Sequence, residues 1–371
     1  MTSGRRDYLV PLAVVCGVVA LFLPVGGAGH WPGADRVMWV AGLAIVALAA
    51  LILRDVDWVA PLAIAGTILA AVALYGLVEA GARGFGAAGL WLGAIVVTLL
   101  AWRAMERGAA WGVAAKSAVI HLLAPILLGM WTIYFWQVLV VGLRVPHVLL
   151  PPPTMIAVAM VASRHDLLAD FVQTFIRSMI PGYIVGCGAG FLTGVLVDRI
   201  PFLRRGLLPL GNLVSALPIV AVAPIMVMWF GFDWQSKAAV VVIMTFFPML
   251  VNTIAGLAAL SRIELDLMRT YAASYGQTMR KARLQAALPF IFSALKINST
   301  LALIGAIVAE FFGTPIVGMG FRISTEVGRM NIAMVWATIV VAAVAGSATY
   351  GALALLERGL TFWHPSLRKV A

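Results

Sequence analysis

Apolar runs long enough to cross a bilayer recur along almost the whole chain. A helix needs about 20 predominantly apolar residues to span the hydrocarbon core. Such stretches fall near 8–25, 37–53, 57–79, 86–102, 118–142, 170–197, 207–231, 236–258, 289–312 and 332–357. They predict an all-α integral membrane protein of about ten transmembrane helices. Composition points the same way. Of 371 residues, 63% are hydrophobic and 11% charged, whereas a soluble domain carries roughly 25% charged residues. So few charges cannot coat a water-soluble globule of this size, and lipid must cover much of the surface. The 36 glycines fit, because small residues let transmembrane helices approach closely.

The formal net charge is +11. Nucleic acid is not the implied partner, since no soluble basic domain exists to hold it. Loop charge instead sets orientation. With the N-terminus in the cytoplasm, seventeen Lys and Arg fall in cytoplasmic segments and seven in outer ones. An even number of spans then puts the C-terminus in the cytoplasm as well. Arg5 and Arg6 before an apolar run resemble a signal peptide. The segment Gly29-His30-Trp31-Pro32 is a poor cleavage site, so this run is expected to be a retained first helix. Cys16 and Cys187 both sit in apolar runs and suggest neither a disulfide framework nor a metal site.

The chain divides near residue 110. Residues 1–110 hold four spans with short connections, and residues 111–371 hold six spans with every long hydrophilic connection. The longest of these runs from Ser261 to Leu288 and is rich in helix formers. It is expected to form two short helices meeting near Gly276, because a glycine inside a helix costs about 1 kcal/mol relative to Ala. Pro289 is expected to open the next span. Two readings stand for this connection: an amphipathic loop on anionic headgroups, or a docking helix near 263–285 for a cytoplasmic partner.

The same segment carries a resemblance. Gly276 is followed after nine residues by Ala286, then Ala287 and Leu288-Pro289. This is similar to the cytoplasmic signature of binding-protein-dependent ABC importer permeases: Glu-Ala-Ala, three residues, Gly, nine residues, Ile, one residue, Leu-Pro. Ala272 matches the second Ala, while Thr270 replaces the Glu, Tyr271 the first Ala and Ala286 the Ile. Flanking stretches at 149–197, 217–232 and 302–323 resemble the nitrate, sulfonate and taurine branch of that family. The resemblance covers about 118–365, and the first four spans lie outside it.

The resemblance implies a six-helix type I importer permease core preceded by four extra helices of unknown role. It implies a bacterial inner membrane location and no catalytic residue in this chain. The implied partners are a second permease copy, a cytoplasmic ABC ATPase dimer binding ATP-Mg, and a periplasmic or lipid-anchored solute-binding protein. Membrane lipid surrounds the chain, and no cofactor is implied within it. Thr270, Tyr271, Ala272, Ala273, Gly276, Leu288 and Pro289 would form the ATPase-docking coupling segment. The solute would be of the nitrate, sulfonate, taurine or pyrimidine vitamin-precursor kind. Lacking the usual Glu at Thr270, the segment is expected to use Tyr271 as an aromatic anchor.

Candidates for the translocation path or gate are Arg177, Pro218, Pro224, Met228, Asn298 and Glu310. Glu310 is read either as a gate or as a structural group capped by backbone or paired with an Arg. Arg177 is read as an interfacial anchor, as the partner of Glu310, or as an attractor for an anionic solute. Lys296 is expected to snorkel to the interface. Asn298 is read as helix cross-link or path lining. Trp131, Trp136, Trp229, Trp234 and Trp363 fall near span ends and suggest an aromatic belt. An alternative function is a secondary transporter or channel working without an ATPase. That reading calls for intramembrane acids on several helices, and Glu310 stands almost alone. The five scattered histidines give no metal or catalytic constellation, so an enzyme is not implied.

Overall fold

The computed structural model describes residues 9–25, 31, 33–51, 59–114, 122–200, 202–203, 206, 219–313 and 316–362. Among these, all regular structure is helical. Seven helical stretches are long and apolar enough to cross a membrane: Pro61–Glu79, Ala88–Ala110, Leu123–Gly142, Arg164–Arg199, Trp234–Ala258, Tyr275–Glu310 and Ile332–Leu360. Leu9–Ala20 and Ala221–Phe230 are apolar but shorter. The expected span 207–231 is described only from Ile219 onward.

The chain forms two compact units, Met1–Met155 and Ile156–Ala371. The first contains α1 (Leu9–Ala20), α2 (Gly33–Leu51), α3 (Val59–Glu79), α4 (Ala88–Ala114) and α5 (Leu123–Gly142). Pro61 and Pro125 fall in the first turns of α3 and α5, where a missing N–H goes unfelt. The core is aromatic at its centre. Trp39 is fully buried and donates its indole N–H to Gly17 O at 3.0 Å, which binds α2 to α1. Tyr134 donates to Ala71 O at 2.8 Å, binding α5 to α3. Trp131 departs from the belt expectation. It is 6% exposed and packs edge-on against Tyr134 at 5.6 Å within this core. Its helix lies against α4 and α3, which turns position 131 inward.

The second unit begins within α6 (Pro153–Ala162). It continues through α7 (Arg164–Phe171), a π-helical stretch Val172–Met179 and α8 (Ile180–Arg199) as one unbroken helix. Pro181 sits at the start of α8. Its ring would clash with the carbonyl four residues back, and the wider π-turn ahead of it makes room. Next come α9 (Ile219–Phe230), α10 (Trp234–Ala258) and α11 (Arg262–Thr270). Then α12 (Tyr275–Thr278), a π-turn Met279–Arg283 and α13 (Leu284–Glu310) form a second unbroken helix. The described chain ends with α14 (Met319–Gly328) and α15 (Ile332–Leu360).

Helix α10 lies at the heart of this unit, between α8 and α13. Four glycines of α8, at positions 182, 186, 190 and 194, repeat every four residues and so form one stripe. The backbone of α10 rides directly on that stripe. A Cβ at Gly186 would stand 2.0 Å from Thr245 Oγ1, and one at Gly190 2.4 Å from Phe246 O. Lipid tails are as apolar as leucine, so close packing of this kind is what holds membrane helices together.

Candidate functional site

Both ends of the second unit carry organised polar structure. At the first end, Ser261 opens α11 with a capping box. Its side chain accepts from the Glu264 amide, and Glu264 Oε2 accepts from the Ser261 amide at 2.9 Å and hydroxyl at 2.7 Å. Those bonds from the Ser261 side chain and then its backbone hold the Glu264 carboxyl below the usual carboxylate range. The helix closes at Tyr271 with a six-residue capping motif. Ala273 N–H bonds to Met268 O at 3.0 Å, and Ala272 N–H to Arg269 O at 2.9 Å. This is the Schellman arrangement, which needs a left-handed residue one past the cap. Ala272 fills that position with φ +50°. Glycine usually takes the place, and an L-residue there costs roughly 1–2 kcal/mol.

A second capping box follows at once. Ser274 accepts from the Gln277 amide, and Gln277 Oε1 accepts from the Ser274 amide at 2.8 Å. The bend therefore lies at Tyr271–Ser274 and not at Gly276. Two serine caps and the left-handed Ala272 fix it, leaving Gly276 as the second residue of α12. A Cβ on Gly276 would meet nothing within 4 Å. Among the described residues nothing requires a glycine there. Pro289 also departs from expectation, because it lies inside α13, whose helix is already running from Tyr275. Leu288 and Pro289 thus mark a position along a continuous helix.

The bend is fastened to the bundle through charged contacts with the end of α8. Arg283 donates to Asp198 Oδ2 at 2.6 Å, with the two side chains 25% and 9% exposed. The Arg199 guanidinium lies 5.4 Å over the Tyr275 ring. These contacts tie the segment after the bend to the end of α8.

At 1.5 Å per residue, Glu310 lies about 39 Å along α13 from Leu284. Here the first amides of α14 are satisfied by side chains from other helices. Gly318 N–H donates to Asp170 Oδ1, Met319 N–H to Thr174 Oγ1 and Gly320 N–H to Glu310 Oε2, each at 2.8 Å. The Thr174 hydroxyl donates to the Glu310 carboxylate, 2.8 and 2.9 Å from its two oxygens. Arg322 Nε completes the group on Asp170 Oδ2 at 2.7 Å. Asp170, Thr174 and Glu310 are all buried. The exposed amides of a helix start attract anions, and here two carboxylates and a hydroxyl form a cap assembled from three chain segments.

The remaining candidates scatter. Arg177 Nη1 reaches Gln173 Oε1 at 3.4 Å, so Glu310 has partners other than Arg177. Pro218 lies outside the described residues. Pro224 is inside α9, and Met228 is 82% exposed on the same helix. Asn298 is fully buried and donates to Thr245 O at 2.8 Å and Cys187 Sγ at 3.3 Å, crosslinking α13 to α10 and α8. Lys296 pairs with Glu357 at 2.7 Å, both less than one-fifth exposed. This ion pair ties α13 to α15. Lys237 is fully buried and donates to Phe232 O at 2.5 Å.

Sequence reasoning missed Asp170, Thr174 and Arg322. Their partners stand 136 to 152 positions away, and no local pattern marks them. Among the described residues, no group of three His, Cys, Asp or Glu could hold a metal ion.

Residues 182–362 match the family described as binding-protein-dependent transport system inner membrane component. The chain is 29% identical to a probable ABC transporter permease protein of Haemophilus influenzae, over 60% of this chain and 90% of that one. It is 29% identical to the formylaminopyrimidine transport permease protein ThiX of Halalkalibacterium halodurans, over 65% of this chain and 96% of the relative. It is also 29% identical to the aliphatic sulfonates transport permease protein SsuC of Bacillus subtilis, over 63% and 85% respectively, a protein whose name is given as putative.

Proposed function

We propose, for a chain that belongs through residues 182–362 to the binding-protein-dependent transport inner membrane component family, the role of membrane subunit in an ATP-driven importer. The chain supplies no catalytic group. A cytoplasmic ABC ATPase dimer binds ATP-Mg and docks on the segment from Ser261 to Pro289. A binding protein delivers a small solute from outside, and a second permease copy completes the path. The relatives transport a formylaminopyrimidine and aliphatic sulfonates by name, which supports a small, polar or anionic solute. In this reading about ten helices cross the inner membrane with both termini in the cytoplasm. Residues 1–110 add four helices to a core of 111–371.

The observation that carries the proposal is the doubly capped bend at Tyr271–Ser274. Its backbone is fixed, α11 and α12 have no buried residue, and it is bonded to the ends of two long helices. A rigid, uncovered bend is what a motor protein needs in order to push. ATP binding moves the permease only if the closed ATPase dimer binds one permease conformation better than the other.

Gly276 gives the test. Proline there would occupy the second helical position, where its missing N–H is tolerated, so a bulky side chain is the sharper probe. Gly276→Trp should leave the chain monodisperse in detergent, because the site is open. The same change should abolish co-purification of the co-expressed ABC ATPase. Undiminished ATPase retention would refute docking at this segment. Ion-gradient-driven solute uptake in ATPase-free liposomes would instead establish the secondary transporter.

A further inference from the structure

We propose that the docking helix α11 holds its ATPase through an uncharged apolar ridge, Ile263–Leu267–Tyr271. The inference rests on the docking role argued above and names the chemistry of the contact. The three side chains are spaced by four residues and so share one helix face. They are 82%, 54% and 77% exposed. No residue of α11 is buried by this chain. A helix outside the apolar spans that displays Ile, Leu and Tyr in one row leaves that row for another surface to cover.

The acids beside the ridge are exposed and bond within α11. Glu264 is held by both donors of Ser261 in the capping box. Asp266 pairs with Arg269 at 3.0 Å. Thr270 is turned onto its own helix, its Oγ1 donating to Asp266 O at 3.0 Å. The ridge itself thus presents apolar and aromatic area, flanked by two exposed acids that each bond within α11. An exposed Tyr beside Leu and Ile suits a desolvated pocket on a protein partner, where aromatic anchors dominate binding.

Net charge separates a protein pocket from the lipid surface. Arg262, Glu264, Asp266 and Arg269 cancel across α11. Helices that lie on anionic headgroups carry a Lys- and Arg-rich polar face, and this one does not. The bend also holds the ridge rigid, since the Tyr271 amide bonds to Leu267 O at 3.1 Å and Ala272 closes the cap. The cleft on the ATPase that receives it is predicted to be lined by apolar and aromatic side chains.

The experiment measures affinity of the co-expressed ATPase for the full chain in nanodiscs. Tyr271→Ala and Leu267→Ser should each weaken binding at least tenfold, and Tyr271→Phe should retain it. Every one of these positions is exposed, and monodispersity checks that each variant folds. If Gly276→Trp abolishes binding while Tyr271→Ala leaves it intact, the ridge proposal is overturned and docking stands. If Gly276→Trp also binds normally, docking itself is wrong. Tyr271→Trp in ATPase-free anionic nanodiscs gives a further control. Quenching of that indole by headgroup-level probes would assign the ridge to the membrane and overturn the proposal.

Discussion

Glu310 illustrates what a single residue can and cannot disclose. Its sequence position, an acid at the end of an apolar run, marks it as unusual in a membrane. Its structural role depends on Thr174 and Gly320, and neither is recognisable in advance. Glu310 accepts the Gly320 amide and the Thr174 hydroxyl, both buried. A buried donor left without an acceptor costs about 1–3 kcal/mol. Glu310→Ala orphans the amide donor and also deprives the hydroxyl of its acceptor. We expect it to lower stability by about 2–4 kcal/mol, read as a fall in melting temperature in detergent. Glu310→Gln keeps one oxygen for Gly320 and should lose less than half as much. If Glu310 were a gate with no structural burden, both variants would melt like wild type and only transport would change. Ala272 and Gly276 show the reverse case. The spacing of the signature identified both positions. The backbone roles exchange, however, with the alanine left-handed and the glycine helical. Serine caps on either side of the bend decide this, and a spacing pattern does not weigh caps.

At the scale of elements, long apolar helices were readable because a bilayer imposes both length and composition. Their breaks were less so. Pro289 was expected to start a helix and instead lies within one, since the two-serine bend upstream had already begun it. The glycine content of α8 was visible, but its partner was not. Only the structure shows Gly186 against Thr245 of α10. Gly186→Ala is therefore expected to push α8 from α10 and sharply reduce the folded yield. Shortening the opposing side chain should recover part of it, so Gly186→Ala with Thr245→Gly should run more monodisperse than Gly186→Ala alone. Recovery will be incomplete, because Val242 O also lies 2.9 Å from the added carbon. Equal yields for the single and double variants would show that the Gly186–Thr245 contact is not what sets the spacing.

At the scale of the whole molecule, charge and hydropathy divided the chain near residue 110, while packing places α5 with the four helices before it. The division by sequence follows loop polarity, which says where a chain meets water. It carries no information about which apolar faces meet each other. Helix α5 buries Leu127, Trp131 and Val138 in the core built around Trp39. Tyr134 bonds to α3, and Gly142 O accepts the amide of Gly84 at 2.6 Å. Removing residues 1–110 would therefore strip α5 of its packing partners and leave Tyr134 without its acceptor. The family match starts only at residue 182, so a truncation designed from family boundaries alone would seem harmless. We expect the 111–371 truncation to aggregate or to melt well below the full chain, as judged by size-exclusion profile and thermal shift in the same detergent. A truncated chain as stable as the full one would mean that α5 is held adequately without α1–α4, and that the first four helices serve a role other than supporting it.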